Sequence, residues 1–315
     1  MSSDDITITS KTVDAYRRLY ALGREVELTP EMVRLHWELE RRWAVRLLAS
    51  RAASRAELFA EAYSELYARL PWLMKSAGKE DAAGLALRYG WWMRLLPSRD
   101  PLSILEIGAG SGGLIRFLAS AGHICTASDV TSQRVALDLQ NRTAVSWIQA
   151  DAVEIGALLP LSSFAVVISD QVLEHLHPDE VEPHFASIRK LLVPGGLYLV
   201  RVPHRAAGPL DLSQLFHARE ARGMHLKEYS YRELAWLATR ARLVVVAAFF
   251  AWPLGLRRLS RSFERPLRGK WLLWYFRAVE WVCDLPWLRP WSRRLFIAAT
   301  LSKNVCLMLE RPSYE

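Results

Sequence analysis

Residues 103–113 read SILEIGAGSGG, an apolar run that contains an acid and is followed by four glycines within six residues. Glycines at the end of a strand let the chain turn sharply into a helix and let a ligand contact the backbone. The stretch fits two patterns: G-x-G-x-x-G at Gly108, Gly110 and Gly113, and acid-x-G-x-G-x-G beginning at Glu106. Either pattern alone is weak, so the turn predicts a ligand site without identifying the ligand.

The sequence around this glycine turn alternates short β-rich runs with helical runs. Such alternation predicts strand–helix–strand units and a parallel sheet. The predicted strands are SILEI (103–107), HICTAS (123–128), AVSWIQ (144–149), FAVVIS (164–169), GLYLVRV (196–202), RLVVVAAFF (242–250) and NVCLMLE (304–310). Predicted helices between them are GLIRFLASA (113–121), SQRVALDLQ (132–140) and VEPHFASIRKLL (181–192), and a capping box at Ser230–Glu233 starts another.

Three acids lie at the ends of the first strands, and two of them, Glu106 and Asp151, distinguish a dinucleotide from other ligands. Asp129 ends the second strand about 20 residues after Gly108, where an acid reaches the ribose hydroxyls of either kind of cofactor. Glu106 would repel a pyrophosphate but attract an ammonium or a sulfonium group. Asp151 follows the third strand and can accept a hydrogen bond from an adenine amino group. These acids favour a cationic adenosyl amino acid.

At these positions the chain resembles the class I S-adenosylmethionine-dependent methyltransferases, and its nearest branch is similar to the small-molecule enzymes of quinone biosynthesis. The matching segments are EIGAGSG (106–112), Asp129, QADA (149–152), SDQVLEHL (169–176), LLVPGGLYLVRVP (191–203) and HLKEYSYREL (225–234). The resemblance implies S-adenosylmethionine as the cofactor. It also implies an α/β fold with a Rossmann-like, seven-stranded, mostly parallel sheet whose last strand is reversed.

The resemblance further implies roles for individual residues. Gly108, Gly110 and Gly112 would face the methionine part, Asp129 the ribose, and Asp151 with Ala152 the adenine ring. Asp170 and Gln171 would lie under the sulfonium. The expected cofactor-binding set is Glu106, Gly108, Ala109, Gly110, Gly112, Asp129, Val130, Asp151, Ala152, Asp170 and Gln171.

Methyl transfer to an alcohol requires a positioned base, and such groups lie at the carboxyl ends of parallel strands. Three histidines meet this condition: His204 after the fifth strand, His175 after the fourth, and His225 on the following loop. We expect the catalytic base among them. His36, His123, His177 and His184 are predicted to be surface or capping residues. No His–acid pair has clear metal-ligand spacing, so no metal is predicted.

Residues 1–98 are predicted to form a helical cap. Thr29-Pro30-Glu31 marks the start of one helix, and Ser54–Glu57 reads as a capping box for the next. A third helix is expected around Ala82–Leu95, and nothing in the segment indicates chemistry. The expected organisation is therefore a cap at 1–98, a cofactor-binding core at 99–252, a helical insertion at 253–300 and a last strand at 301–315.

The insertion at 253–300 carries ten Lys or Arg against three acids, which accounts for most of the net charge of +8. It also holds five of the chain's 13 tryptophans. A helix over 270–284 would place Lys270, Arg277, Glu280 and Asp284 in one polar stripe and leave more apolar surface than one contact requires. Burial beneath the cap, a dimer interface and an anionic membrane surface all fit this pattern. The arginines and the tryptophans both favour the membrane surface. The arginines are Arg257, Arg258, Arg261, Arg265 and Arg268.

The remaining sequence features indicate the cellular compartment. The three cysteines form no pattern, which favours a reducing compartment. The start, MSSDDITITS, lacks the basic and apolar regions of a secretory signal, and the longest apolar stretch, 243–256, is too short to span a bilayer. We expect a cytoplasmic protein that contacts the inner face of the membrane through 253–300.

The predicted function is methyl transfer from S-adenosylmethionine to an oxygen of a glycan, a lipid-linked sugar or a secondary metabolite. A nucleic-acid methyltransferase is the alternative that the basic charge suggests. However, ISDQVLE (168–174) follows the fourth strand in place of an Asn/Asp-Pro-Pro-aromatic motif, so a nucleic-acid partner is not expected. A nicotinamide oxidoreductase is disfavoured by Glu106, and a non-catalytic cofactor-binding scaffold is the remaining alternative.

Overall fold

An eight-stranded sheet forms the centre of the computed structural model, which describes residues 7–73, 82–98, 101–133, 145–259 and 265–313. The strands are β1 (Ser103–Ile107), β2 (Ile124–Asp129), β3 (Val145–Gln149), β4 (Phe164–Asp170), β5 (Leu192–Pro203), β6 (Val244–Phe250), β7 (Leu267–Gly269) and β8 (Asn304–Glu310). Their order across the sheet is β3-β2-β1-β4-β5-β8-β6-β7.

The topology confirms the predicted Rossmann-like arrangement. Strands β1 to β5 pair in parallel, and β8 runs antiparallel between β5 and β6. The predicted count of seven strands is wrong by one, because β7 adds a short antiparallel strand at the edge beside β6. This strand lies in the insertion and has only three residues, too few to show a β-pattern in the sequence.

Helices cover both faces of the sheet. They are α1 (Ser10–Leu19), α2 (Pro30–Leu48), α3 (Ala52–Arg69), α4 (Ala82–Met93), α5 (Gly113–Ser120), α6 (Ile155–Leu158), α7 (Val181–Leu191), α8 (Tyr231–Arg240), α9 (Leu254–Leu259), α10 (Lys270–Cys283) and α11 (Ser292–Thr300). Helices α4 and α5 pack on one face, and α7, α8, α10 and α11 pack on the other. The helix predicted at 132–140 falls largely on residues 134–144, outside the described part of the chain.

Side-chain caps fix two helix starts where the sequence places them. Thr29 accepts a hydrogen bond from the Met32 amide at the start of α2, and Ser230 and Glu233 form a reciprocal capping box at the start of α8. The capping box predicted at Ser54 is wrong. Helix α3 begins earlier, at Ala52, and the Ser54 hydroxyl donates back to the Arg51 carbonyl within the first turn.

Helices α1 to α3 pack around an apolar core of their own, which includes Trp37, Trp43 and Phe59. Leu212 and Met224, from the long loop after β5, complete this core. The loop therefore ties the cap to the carboxyl edge of the sheet. That edge is where ligands bind in open α/β folds.

The insertion packs on the sheet domain. Leu272 and Phe276 of α10 belong to the same apolar core as β6, α8 and α11. Burial beneath the cap, one of the placements considered above, is therefore not the one that α10 adopts. Glu280, expected in the polar stripe, is buried as well. None of the helices in the described ranges is both long and apolar enough to cross a bilayer.

Candidate active site

A cavity of about 270 Å³ lies between the carboxyl edge of the sheet and the cap. The sheet side supplies the glycine turn and the residues that follow β2, β3 and β4. The cap supplies Tyr20, just after α1, and residues of α2 and α3. Seven residues of the expected cofactor-binding set line it: Gly108, Gly110, Asp129, Val130, Asp151, Ala152 and Gln171. The structure thus brings together side chains from three successive strand ends.

The glycine turn has the geometry that its sequence requires. Gly108, Gly110 and Gly112 all have positive φ, at 67°, 54° and 75°, a region that residues with a side chain rarely adopt. A Cβ atom on Gly108 would lie 2.5 Å from the Cγ2 of Val172, so this position also lacks room for one. The backbone can therefore pass close to both β4 and a ligand.

Asp129 links this turn to the second strand. Its Oδ2 accepts a 2.8 Å hydrogen bond from the Gly110 amide, and its Oδ1 accepts from the Thr131 amide at 3.2 Å. Asp151 is held in a similar way, since its Oδ1 accepts from the Val153 amide at 2.7 Å. Both carboxylates are fixed by backbone donors at the cavity wall, in a position to meet a ligand without rearrangement.

Glu106 lies just behind the turn and does not line the cavity. It is 5% exposed, and its Oε2 has no hydrogen-bond partner among the described residues. Burial, followed by the nearby carboxylates of Asp170 and Asp129, raises the pKa of Glu106 well above its usual value. A cation bound at the turn would favour the charged form of Glu106. The buried, unpaired Oε2 of Glu106 therefore suits a sulfonium or ammonium ligand.

Asp170 points away from the expected position under the sulfonium. Its carboxylate forms a bidentate ion pair with Arg201, at 2.6 and 2.7 Å. Asp170 also lines a second cavity, on the α4 side of the sheet. Gln171, the first residue after β4, has a positive φ of 62° and lines the main cavity instead. Ala109 and Gly112 also lie outside the lining, as part of the turn backbone.

His175 is the one of the three candidate histidines that lines the cavity. Its Nδ1 donates to the Met224 carbonyl at 2.9 Å. This bond places the lone pair of the neutral ring on Nε2. The ring of His225 packs edge-on against it with 5.0 Å between ring centroids.

His225 carries a positive charge at neutral pH. Burial acts to lower its pKa, but the hydrogen bond to Glu228 and the carboxylates of Glu174, Asp211 and Glu228 outweigh burial and raise the pKa to about 9. A protonated imidazole cannot accept a proton, so His225 does not suit the role of base below that pH. It suits an electrostatic role beside His175.

Glu174 completes a cluster with these two histidines. It is fully buried, and neither carboxyl oxygen has a hydrogen-bond partner within the described ranges. Burial raises the pKa of Glu174 to about 8, although the charge of His225 opposes this. One ligand atom from each of Glu174, His175 and His225 lies within 4.8 Å of the others, so the group has the ligand types and spacing to hold a metal ion. The sequence did not indicate this cluster.

His204 lies in the core and not at the cavity. Its side chain is fully buried, its Nε2 is 2.6 Å from Glu280 Oε1, and its ring stacks on Phe296 with 3.8 Å between centroids. The sequence placed it correctly at the end of β5 but did not show that the insertion covers it. We therefore assign it no part in catalysis.

Three other histidines are buried, contrary to expectation: His36, His123 and His184. His184 is fully buried and hydrogen-bonded to the Ala152 carbonyl and the Tyr198 hydroxyl. His36, expected at the surface, lines the cavity from α2 together with Glu40. His177 caps a short helix by accepting from the Asp179 amide, as expected.

The cap therefore supplies functional groups that the sequence did not reveal. Tyr20, Tyr63 and Tyr67 line the cavity together with His36 and Glu40. A signal was present in the sequence: His36 and Glu40 are four residues apart on the apolar face of α2 that also carries Val33. Polar residues on a buried helix face indicate either a satisfied network or a site.

Comparison with known proteins gives a family match for part of the chain. Residues 105–200 match the family described as methyltransferase domain. A search of curated protein sequences returned no match.

Several solved structures are similar to the chain. Haemonchus contortus phosphoethanolamine N-methyltransferase 2, in complex with S-adenosylmethionine, is 17% identical with a TM-score of 0.46, and the match covers 71% of this chain and 51% of that one. Burkholderia thailandensis 1,6-didemethyltoxoflavin-N1-methyltransferase is 18% identical with a TM-score of 0.48, covering 84% and 91%. An Archaeoglobus fulgidus S-adenosylmethionine-dependent methyltransferase is 12% identical with a TM-score of 0.48, covering 74% and 95%. The chain spans about half the length of the Haemonchus protein.

Proposed function

Because residues 105–200 match the methyltransferase domain family, we propose that the chain is a class I S-adenosylmethionine-dependent methyltransferase that transfers a methyl group from this cofactor to an oxygen of a small-molecule acceptor. The observation that carries the proposal is that the glycine turn, Asp129 and His175 all line one cavity. Donor-binding groups and a candidate base thus face the same cavity. Because helices of the cap cover this cavity, it favours a compact acceptor, such as a secondary metabolite, over a long glycan.

The residues at the turn fit the cofactor. Gly108 and Gly110 expose backbone to the cavity, and Asp129 and Asp151 are held where ribose and adenine groups would meet them. Glu106 has an unpartnered buried oxygen beside them that favours a positive ligand. When bound, S-adenosylmethionine supplies an electrophilic methyl group on a sulfonium.

His175 is the residue that we assign to proton removal. The Met224 carbonyl holds its ring by Nδ1, so Nε2 accepts the proton of the acceptor hydroxyl as the oxygen attacks. The charged His225 and the buried Glu174 fix the electrostatic surroundings of this ring. The cap walls exclude water from the reacting groups and hold the acceptor near the turn.

Ligand binding followed by labelling tests the proposal. In a thermal-shift assay we expect S-adenosylmethionine and S-adenosylhomocysteine to raise the melting temperature and NADH to leave it unchanged. With tritiated methyl donor, label should enter the low-molecular-weight fraction of a cell extract. Label in RNA or DNA would support the nucleic-acid alternative, and cofactor binding without label in any fraction would support the scaffold.

We also propose that α10, α11 and the loop between them contact an anionic membrane surface from the cytoplasmic side. Trp274, Trp281 and Trp287 are 69%, 64% and 71% exposed, although tryptophans normally bury most of their surface. Basic side chains accompany them: Arg277 lies over the Trp274 ring, and Arg294 lies over the Trp291 ring. Interfacial tryptophans combined with arginines suit a bilayer surface with anionic head groups.

Membrane contact would bring the cavity to lipid-linked or amphiphilic acceptors. Flotation with vesicles tests it: we expect the chain to float with vesicles that contain anionic phospholipid and to remain behind with purely zwitterionic ones. Absence from both vesicle fractions would refute the contact. Arg261, one of the arginines on which the expectation rested, lies outside the described residues.

A further inference from the structure

A chain of buried hydrogen bonds runs through the cap and ends at the cavity. The Trp72 indole donates to the Tyr16 hydroxyl at 2.8 Å, the Tyr16 hydroxyl lies 2.8 Å from His36 Nδ1, and His36 Nε2 lies 2.9 Å from Glu40 Oε1. An indole only donates and a carboxylate only accepts. The Tyr16 hydroxyl therefore accepts from the Trp72 indole, and His36 Nε2 donates to Glu40.

Glu40, at the end of this chain, is a buried carboxylate that keeps its negative charge. It is 8% exposed, and burial alone would raise its pKa. The bond and charge of His36, the charge of His225 and the Met224 amide outweigh burial and lower the pKa of Glu40 below its usual value. His36 of the cap, with His225 and the Met224 amide of the loop after β5, thus holds one ionised group at the cavity wall.

The surroundings of Glu40 define what it can bind. The neighbouring cap walls are aromatic and aliphatic, including Phe59, Tyr63 and Leu70. The cavity is lined by three carboxylates, Glu40, Asp129 and Asp151, and none of its described lining residues is Lys or Arg. Asp129 and Asp151 belong to the cofactor side, so Glu40 is the charge left for the acceptor.

We propose that Glu40 is the acceptor-binding residue of this cavity, an inference that rests on the function proposed above. It accepts a hydrogen bond from a hydroxyl of a compact, largely apolar acceptor. It also rejects acceptors that carry a phosphate or carboxylate group, because the described lining holds three carboxylates and neither Lys nor Arg. The substrate class is therefore neutral hydroxylated small molecules with an aromatic or aliphatic body.

The experiment uses the full chain saturated with S-adenosylhomocysteine and ligand-observed NMR. The probes are matched pairs: 4-methylphenol against 4-hydroxybenzoate, and benzyl alcohol against benzyl phosphate. We expect the neutral member of at least one pair to bind wild type and its anionic partner to bind at least tenfold more weakly. In Glu40→Gln the neutral compound should bind roughly tenfold more weakly, which is the scale of one charge-assisted hydrogen bond. The difference in Kd between the neutral and the anionic probe of a pair should become smaller than in wild type.

Two further variants keep the result interpretable. Glu40→Asp retains the charge at shorter reach, so it should weaken the neutral probe yet still reject the anionic one. Glu38→Gln, on the exposed face of the same helix, should behave as wild type. Equal binding of the neutral probe by Glu40→Gln and wild type, equal binding of both members of a pair by wild type, or no binding by any probe would overturn the assignment.

Cofactor binding separates this test from the proposed function. Calorimetry with S-adenosylhomocysteine should give the same Kd for wild type and Glu40→Gln, because Glu40 lies on the cap wall and is not one of the residues assigned to the cofactor. Loss of that binding in wild type would refute the methyltransferase proposal itself. Normal cofactor binding without the expected probe pattern would refute the role of Glu40 alone.

Discussion

His175 is the side chain on which the proposed chemistry depends. Its ring is held from one side by the Met224 carbonyl and flanked by the charged His225. Because Nδ1 is committed to a carbonyl, the ring presents a single basic nitrogen. A base held in one tautomer needs no reorganisation when the acceptor arrives.

Replacement of His175 by Asn should lower the rate of label transfer by about 10²- to 10⁴-fold, the usual contribution of a general base. The Kd for S-adenosylhomocysteine should not change. His217→Asn is the matched control, since His217 is exposed and has a positive φ of 54° that asparagine tolerates. Equal rates for the two variants would show that His175 is not the base.

His184 makes stability depend on pH. It is fully buried between the Ala152 carbonyl and the Tyr198 hydroxyl, and burial lowers its pKa from 6.5 to about 4. Between these values the unfolded chain binds a proton that the folded chain does not. The free energy of unfolding therefore falls as the pH falls through this window, by about 3 kcal/mol in total.

Denaturant unfolding of His184→Gln between pH 7 and pH 4 checks this effect. We expect the variant to be less stable than wild type at pH 7 but to lose less stability on acidification. The exposed His217→Gln should retain the wild-type slope. An unchanged slope in His184→Gln would assign the acid sensitivity to other groups.

At the scale of elements, Glu280 joins the insertion to the core. It reaches from α10 to His204 at 2.6 Å and accepts from the Tyr231 and Arg232 amides at 2.5 and 3.4 Å, where α8 begins. A carboxylate at a helix N-terminus satisfies free amides and interacts favourably with the helix dipole. One side chain therefore fastens α10, α8 and the end of β5.

Glu280→Ala should lower the free energy of unfolding by about 3 kcal/mol, because it leaves a buried histidine and helix amides without their acceptor. Asp284→Asn is the control on the same helix. Asp284 pairs with Arg205 at a half-exposed site, and such pairs contribute about 1 kcal/mol or less. Chemical denaturation measures both, and similar losses would show that the Glu280 contacts are not specific.

The exposed tryptophans of the insertion are the residues that we expect to contact the membrane. Trp274→Ser/Trp281→Ser removes two exposed rings that make little contribution to the fold. Loss of their insertion should cost about 2 kcal/mol or more, which is over tenfold in vesicle binding. Val45→Ser, which removes an exposed apolar side chain of the cap, should float as wild type does. Unchanged flotation of the double variant would place the contact elsewhere.

At the scale of the whole molecule, the sheet and the sheet side of the cavity were predictable from the sequence, whereas the cap side was not. Strand periods, glycine turns and the acids at strand ends are local signals, and Gly108, Asp129 and Asp151 lie where those signals place them. The cap side of the cavity and the packing of the insertion depend on contacts between distant segments. Trp72 and Tyr16 are 56 residues apart, and Glu280 is 76 residues from His204.

Strand register explains why Asp170 does not lie where the sequence predicted. Asp170 was expected beside the sulfonium, yet it pairs with Arg201, its direct neighbour in the parallel register of β4 and β5. The register would have indicated this pair had β5 been aligned to β4 in advance. The buried position of Glu280 had no such signal, because the helix pattern of 270–284 shows which residues share a face but not which face packs on the core.

Calorimetry with S-adenosylmethionine tests most directly whether the cavity at the glycine turn binds an adenosyl cation. We expect wild type to bind one molecule per chain with a micromolar Kd. Asp129→Asn should bind roughly 10- to 100-fold more weakly, because it loses a charged acceptor that also positions the Gly110 amide. Asp14→Asn, at an exposed position of α1, should bind as wild type does. No heat with wild type, or equal affinity for wild type and Asp129→Asn, would contradict the account.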